Sequence, residues 1–281
     1  MKGKVLVTGV GGQIGTDIVE AAADWEVVAT GHRPGRAALT LDVADRSAVR
    51  DTVRKARPDV VVHAASMTNV DQCEKDRQLA YRVNVEGTRN IADACKEADA
   101  RLAYLSTDFV FDGRKGGYQE TDLPQPVNYY GETKLLGEQA ASGGLIARTS
   151  VVYSPHRETF NFVRWVITEL SAGRQIRVVT DQFGSPSLSS NVAAAVMELC
   201  AKGVTGLFHV AGTERMSRFD FARLTAEAFG LDAGLITPIT TAELHQAAVR
   251  PRDSSLDVRK ASALLKTKLL GPREGLRRIH V

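Results

Sequence analysis

A tyrosine and a lysine four residues apart, in Tyr130-Gly131-Glu132-Thr133-Lys134, are the pair in this chain best suited to proton chemistry. On a helix, residues four apart share a face, so the phenol and the ammonium can address one reacting group. A free phenol, with a pKa of about 10, exchanges protons poorly at neutral pH. A cation beside it favours the phenolate and draws its titration toward the working range, letting Tyr130 pass a proton to a developing alkoxide. A hydroxyl aimed at the same oxygen would stabilise the charge building there. Leu102 to Ser106 reads as a strand ending in Ser106-Thr107-Asp108, which makes Thr107 the first choice for that hydroxyl and Ser106 the second. The tyrosine–lysine spacing also occurs on solvated helix faces, so its meaning depends on the rest of the chain.

The second informative stretch is Thr8-Gly9-Val10-Gly11-Gly12-Gln13-Ile14-Gly15, which follows an apolar strand (Lys4 to Thr8) and opens a helical pattern (Ile14 to Ala23). Gly9 can take the tight turn, Gly12 lets the backbone approach a pyrophosphate without a Cβ, and Gly15 lets helix and strand pack closely. Unpaired N–H groups at the helix start, from Gln13 and Ile14 onward, face the anion. A dinucleotide is the implied ligand. At the end of the second strand stands Ala29-Thr30-Gly31-His32-Arg33, with no carboxylate to hold an unphosphorylated ribose. Arg33, with His32, favours a 2′-phosphate and hence NADPH over NADH. A solvated loop arginine is the plainer reading of the same residue.

These residues need a frame to hold them. Apolar β-branched runs (Lys4 to Thr8, Glu26 to Thr30, Val60 to His63, Leu102 to Ser106, Leu145 to Ala147) alternate with helical patterns such as Gln78 to Ala98. Alternation of this kind predicts an α/β fold, a doubly wound parallel sheet with helices on both faces. Runs as uniform as Val60-Val61-Val62 suit strands buried on both sides. A dinucleotide domain over residues 1–150 is expected, followed by a smaller substrate-binding lobe over 151–281 interleaved with the main sheet. That lobe reads as a helix from about Phe160 to Ala172, a strand at Ile176 to Val179, the segment Phe183 to Ser190, and more helix. The polar stretch Asp112 to Asn128 is long for a loop, and long loops in compact domains are often functional.

Composition narrows the partners. With 43% hydrophobic and 25% charged residues the chain can bury a core, and its net charge of +3 is spread along its length, which disfavours nucleic acid as a partner. No run approaches the roughly 18 apolar residues of a membrane span, and the N-terminus lacks the apolar stretch of a secretion signal. Cys73, Cys95 and Cys200 are far apart, without metal-ligand or disulfide spacing, so a reducing cytoplasm and no metal site are expected. A monomer or a homodimer is equally compatible with this sequence.

Taken together, the turn Gly9-x-x-Gly12-x-x-Gly15, the run Leu105-Ser106-Thr107-Asp108-Phe109-Val110-Phe111-Asp112-Gly113 and Tyr130-x-x-x-Lys134 resemble the dTDP-4-dehydrorhamnose reductase family of extended short-chain dehydrogenases/reductases. Other segments agree in order: His63-Ala64-Ala65 through Thr68-Asn69-Val70-Asp71, Asn84-Val85-Glu86-Gly87-Thr88, Arg148-Thr149-Ser150, Asp181 to Pro186 and Arg250-Pro251-Arg252. The resemblance implies a Rossmann fold and NAD(P)H-dependent reduction of a 4-keto group on a nucleotide-linked deoxysugar. It implies Thr107, Tyr130 and Lys134 as the catalytic trio, with Lys134 also holding the nicotinamide ribose. Asp42 and Val43 would line the adenine, Ala64 and Ala65 would make room for the cofactor, and Asn84 would order a water relay or simply make a structural bond. Thr68, Val70, Ser106, Asp108, Phe109 and Val151 would face the substrate, and the guanidinium of Arg252 would pair with its diphosphate.

Two departures bear on specificity. Phe109 stands where the family has a tyrosine, and Val151 stands where it has a tryptophan, so the pocket loses a phenol and a stacking ring. The chemistry should survive; the exact sugar need not. Two other functions fit the scaffold: a sugar-nucleotide epimerase or dehydratase that recycles its cofactor, and a non-catalytic NADP-binding regulatory subunit.

Overall fold

The computed structural model describes residues 2–32, 39–156 and 160–279. Arg33, the proposed determinant of cofactor choice, lies outside the described residues. The first half of the chain supplies β1 (Lys4–Thr8), β2 (Glu26–Gly31), β3 (Leu39–Thr40), β4 (Val60–His63), β5 (Arg101–Thr107) and β6 (Leu145–Thr149). The second half adds β7 (Val152–Tyr153), β8 (Ile176–Val179), β9 (Phe183–Gly184), β10 (Ser187–Leu188), β11 (Gly206–His209), β12 (Met216–Ser217) and β13 (Ile236–Ile239). The helices that matter here are α1 (Gln13–Ala21), α2 (Arg46–Ala56), α3 (Val70–Lys75), α4 (Arg77–Tyr81), α5 (Gly87–Glu97), α6 (Tyr129–Ala140), α7 (Phe162–Ser171), α8 (Ser189–Ala201) and α9 (Arg218–Ala228).

Seven strands make one parallel sheet in the order β3-β2-β1-β4-β5-β6-β11. Alternation along each strand divides the core: Val5 and Val7 join Ile18, Val192 and Val196 on one face, while Leu6 joins Val49, Val53 and Ile91 on the other. Helices α1 and α8 cover the first face, and α2 and α5 the second. Chain direction across the sheet reverses between β1 and β4, so a crevice must open at the carboxyl ends of those strands.

Both β11 and α8 come from beyond residue 150, yet they complete the main sheet and its helical layer. What remains is a small lobe in which β8 pairs with β13 and the buried faces of α7 and α9 meet over Val166, Leu170, Ile176, Ala222 and Ile236.

Two expectations change. The stretch Gln78 to Ala98 is not one regular helix, because a π-helical turn at Arg82–Glu86 separates α4 from α5. That turn drives the Asn84 amide into the protein, where it bonds Ser66 Oγ, both backbone groups of Met67 and Thr133 Oγ1. All four hydrogen-bonding positions of the amide are occupied, so Asn84 pins α6 to the β4 loop and has no side-chain capacity left for a water relay. The long segment after β5 packs against the C-terminal part of the chain. Tyr118 stacks on Phe111 with centroids 4.1 Å apart, and its backbone pairs with Ser255 and Asp257, tying the loop to the C-terminal segment.

The glycine turn has a separable geometry. A Cβ on Gly15 would stand 2.3 Å from the Gly9 carbonyl oxygen, whereas one on Gly12 would meet only that oxygen, at 3.4 Å. Gly15→Ala should therefore cost about 1–3 kcal/mol in denaturant unfolding, the usual range for overpacking, and Gly12→Ala should unfold nearly as the parent chain does.

Candidate active site

Helix α6 starts at Tyr129 because the Asn128 side chain accepts from the Gly131 N–H at 2.9 Å, and Gly131 has no room for a Cβ against the Phe109 carbonyl. That contact places the first turn of α6 beside the end of β5. Tyr130 and Lys134 are both buried there, and both line a cavity of about 700 Å³ with Thr107 at the carboxyl edge of the sheet. Gly12, Gln13, Ile14, Gly15 and Ala64 form one wall of this cavity. Thr68, Val70, Ser106, Asp108, Phe109 and Val151 line it elsewhere. The turn and the tyrosine–lysine pair, more than a hundred residues apart in sequence, thus share one space.

Several expected residues fall outside it. Asp42 spends its carboxylate on the Ala44 N–H at 2.9 Å, and buried Val43 packs against Gly87. Ala65 packs into the core behind the cavity wall. The Arg252 side chain is exposed and does not line the cavity, while its backbone carbonyl accepts from the Phe183 N–H; Arg250, two residues earlier, lines the cavity instead. Arg250 is held by a bidentate pair with Asp71, both N···O distances being 2.8 to 2.9 Å.

Ser106 reaches the cavity wall, but its hydroxyl donates to Glu138 Oε1 at 2.5 Å. Glu138 continues the four-residue series of Tyr130 and Lys134 along α6 and forms a buried bidentate pair with Arg148 at 2.8 and 2.6 Å. Thr107 lines the cavity beside Ser106, and its hydroxyl is held by a neighbouring carboxyl. Its Oγ1 lies 3.0 Å from Asp108 Oδ1, and Asp108 Oδ2 accepts from Ser150 and Ser254. Burial raises the Asp108 carboxyl above the ordinary carboxylate range, against the pull of those hydroxyls.

The sequence suggested that Lys134 would pull the tyrosine's titration down. In the structure burial dominates and pushes the Tyr130 phenol up, with the Thr107 hydroxyl opposing. Lys134 Nζ donates to the Leu105 carbonyl at 2.7 Å and sits 4.2 Å from the Tyr104 ring centroid. Burial also lowers Lys134 itself to about 7, with Glu138 the main opposing charge. A phenol that stays protonated at neutral pH suits the reductive direction, in which the proton is given.

The glycine wall fits a dinucleotide. Gly12 lines the cavity without a Cβ, and Gln13 Oε1 is buried without a hydrogen-bond partner among the described residues. Thr149 Oγ1 is likewise unpartnered and lines the cavity. Gln13 was expected at the cofactor from its place in the glycine turn, whereas Thr149 carries no sequence signal of this role, because burial with an open partner is a tertiary property. Val151, also at the wall, has φ of +44°, an uncommon strain for a β-branched residue and one that clusters at functional sites. Where the sequence showed no ligand cluster, the fold gathers Asp17 and Glu20 of α1 with His156, their ligand atoms all within 4.8 Å of one another. His156 Nε2 lies 2.8 Å from Asp17 Oδ1. The sequence hides this group because His156 is distant in the chain.

A parallel sheet with this switch point, a glycine turn and a Thr–Tyr–Lys set define an oxidoreductase of the extended short-chain dehydrogenase/reductase type. Residues 3–280 match the RmlD substrate binding domain family, and the chain belongs to that family. The dTDP-4-dehydrorhamnose reductase of Mycobacterium tuberculosis is 35% identical over 273 residues, covering 92% of this chain and 86% of that protein. A probable low-salt glycan biosynthesis reductase of Haloferax volcanii is 37% identical over 226 residues, covering 78% and 75%. Among solved structures, the dTDP-4-dehydrorhamnose reductase of Bacillus anthracis in complex with NADP is similar, with a TM-score of 0.88, 32% identity and 99% of each chain covered.

Removing Glu138 would strand the Arg148 guanidinium in the core. Glu138→Ala should cost about 3–5 kcal/mol in chemical denaturation, the usual penalty for breaking a buried pair. Lys134 makes a second, pH-dependent prediction. At pH 8 a lysine held at about 7 is mostly neutral, and an anionic dinucleotide beside it raises its proton affinity. NADPH binding at pH 8 should take up protons, measured by calorimetry in buffers of different ionisation enthalpy. The uptake should fall away at pH 6, where the lysine is already charged, and should be absent in Lys134→Met.

Proposed function

We propose that this protein reduces the 4-keto group of a nucleotide-linked deoxysugar with NADPH, the substrate being dTDP-4-dehydrorhamnose or a close relative. The observation that carries this reading is the convergence of the glycine turn with Thr107, Tyr130 and Lys134 on one cavity. The 2′-phosphate preference rests on the absence of a carboxylate after β2 and on the NADP found with the similar Bacillus anthracis enzyme.

When bound, the nicotinamide supplies the hydride. Gly12, Gln13 and the free N–H groups at the start of α1 hold the pyrophosphate. Lys134, released from the Leu105 carbonyl, holds the ribose. Thr107 donates a hydrogen bond to the substrate carbonyl oxygen, and the Tyr130 hydroxyl passes its proton to that oxygen as charge develops there. Asp108, fixed by Ser150 and Ser254, holds the Thr107 hydroxyl until the substrate carbonyl takes over that hydrogen bond. Phe109 packs edge-on against the Tyr130 ring at 6.0 Å and offers no hydroxyl to the sugar. We further propose that residues 151–281 act as the substrate lobe, with β11 and α8 serving the cofactor half.

A cytoplasmic site of action belongs to the same reading, supported by three buried, unpaired cysteines. No helix among the described residues is long and apolar enough to cross a membrane.

With a dTDP-4-keto-6-deoxyhexose, the protein should oxidise NADPH stoichiometrically, read at the nicotinamide absorbance band. An epimerase or dehydratase would give no net change. Tyr130→Phe should lower kcat by about 10²–10⁴-fold, the range for a lost general acid, while NADPH affinity stays within a few-fold. A variant that turned over normally would remove the tyrosine from the mechanism, and failure of the parent chain to oxidise NADPH with any nucleotide ketosugar would favour a regulatory subunit.

A further inference from the structure

Three guanidinium groups line the cavity, and they differ in how they are satisfied. Arg250 is locked to Asp71, and Arg177 reaches Glu243 at 3.4 Å. Arg218 has no hydrogen-bond acceptor for its guanidinium among the described residues; its Cζ lies over the face of Phe162, 5.3 Å from the ring centroid. It is partly buried and opens onto the cavity, within electrostatic reach of Asp108 on one side and Arg250 on the other. It is also the first residue of α9, where the helix macrodipole disfavours a cation. An unpaired cation placed against a helix N-terminus and removed from water costs stability. Such a placement is explained by an anion that arrives with a ligand, since the guanidinium and the helix N–H groups then act on the same charge.

We infer that Arg218, and not Arg252, receives the diphosphate of the nucleotide-sugar substrate. This rests on the nucleotide-ketosugar reading above and adds the phosphate subsite to it. The geometry agrees with substrate chemistry. Thr107 and Tyr130 fix the oxygen at C4 of the sugar, and the phosphate hangs from C1 across the ring. A cation receiving it must therefore line the same cavity as Thr107 and Tyr130. Arg218 does, whereas exposed Arg252 does not. Its sequence signal was a cation at the helix start Ser217-Arg218, a place where acidic residues are favoured.

The test is calorimetric titration of dTDP into the full chain and into Arg218→Ala, Arg218→Lys and Arg252→Ala, with NADPH titrated separately and thermal unfolding recorded for each. Arg218→Ala should weaken dTDP binding by about 10- to 100-fold, corresponding to roughly 1.4 to 2.7 kcal/mol. Arg218→Lys should fall between, and Arg252→Ala should match the parent. NADPH affinity should be unchanged throughout. The unfolding temperature of Arg218→Ala should be equal to or above that of the parent, because an unsatisfied charge has been removed. Unchanged dTDP affinity in Arg218→Ala would overturn the inference, as would a matching loss of NADPH affinity or of thermal stability, which would mark the residue as structural. If the parent chain binds none of dTDP, UDP and GDP, it is the nucleotide-sugar reading itself that fails.

Discussion

Keeping an ammonium group out of water at the carboxyl edge of the sheet is the constraint to which the rest of the site answers. Lys134 is fully enclosed, and the structure offsets that cost with the Leu105 carbonyl, the face of Tyr104 and the field of Glu138 one turn along α6. Glu138 is itself buried, so it needs Arg148 from β6 and the Ser106 hydroxyl from β5. One charge thus calls up a network spanning two strands and a helix. Buried networks of this kind are high-stakes, because a member left unpaired costs more than the whole network contributes when complete. The same network fixes the rotation of α6 and so decides that Tyr130 faces the cavity.

A second network joins the two parts of the molecule. Asp108 accepts hydroxyl groups from Thr107 on β5, from Ser150 after β6 and from Ser254 in the C-terminal segment. Ser150 Oγ also receives the Ser185 N–H, and Ser185 Oγ receives the Leu256 N–H. The hydroxyl that would meet the substrate carbonyl is therefore oriented by residues from the distant end of the chain. Lobe and sheet meet at the atom where precision matters most.

The departures from the resembled family sit on the substrate side of the cavity. Phe109 removes a phenol from the cavity lining, and Val151 replaces a large ring with a small side chain in a left-handed conformation. Phe109 still packs edge-on against the Tyr130 ring, so the acid–base set keeps an aromatic neighbour there. A pocket altered on one wall with its chemistry intact is the expected route to a different sugar on the same reaction.

How much of this was legible from the residues follows from the range over which each signal acts. The strands, the glycine turn and the tyrosine–lysine spacing are local patterns, set by side-chain period and backbone freedom, and they appear in the structure close to where the sequence puts them. The break in Gln78 to Ala98 was not legible, because it depends on an asparagine finding partners in Met67 and Thr133. The choice of Arg250 and Arg218 over Arg252 as cavity residues was decided only by tertiary packing, as was the turning of the Ser106 hydroxyl toward Glu138. Sequence by itself determined the fold class and the reaction type, since the strand–helix alternation, the glycine turn and the tyrosine–lysine spacing are each local patterns. Which cations face the substrate, and what titration the phenol and the lysine have, depend on who is buried beside whom, and desolvation is a property no single segment of chain possesses.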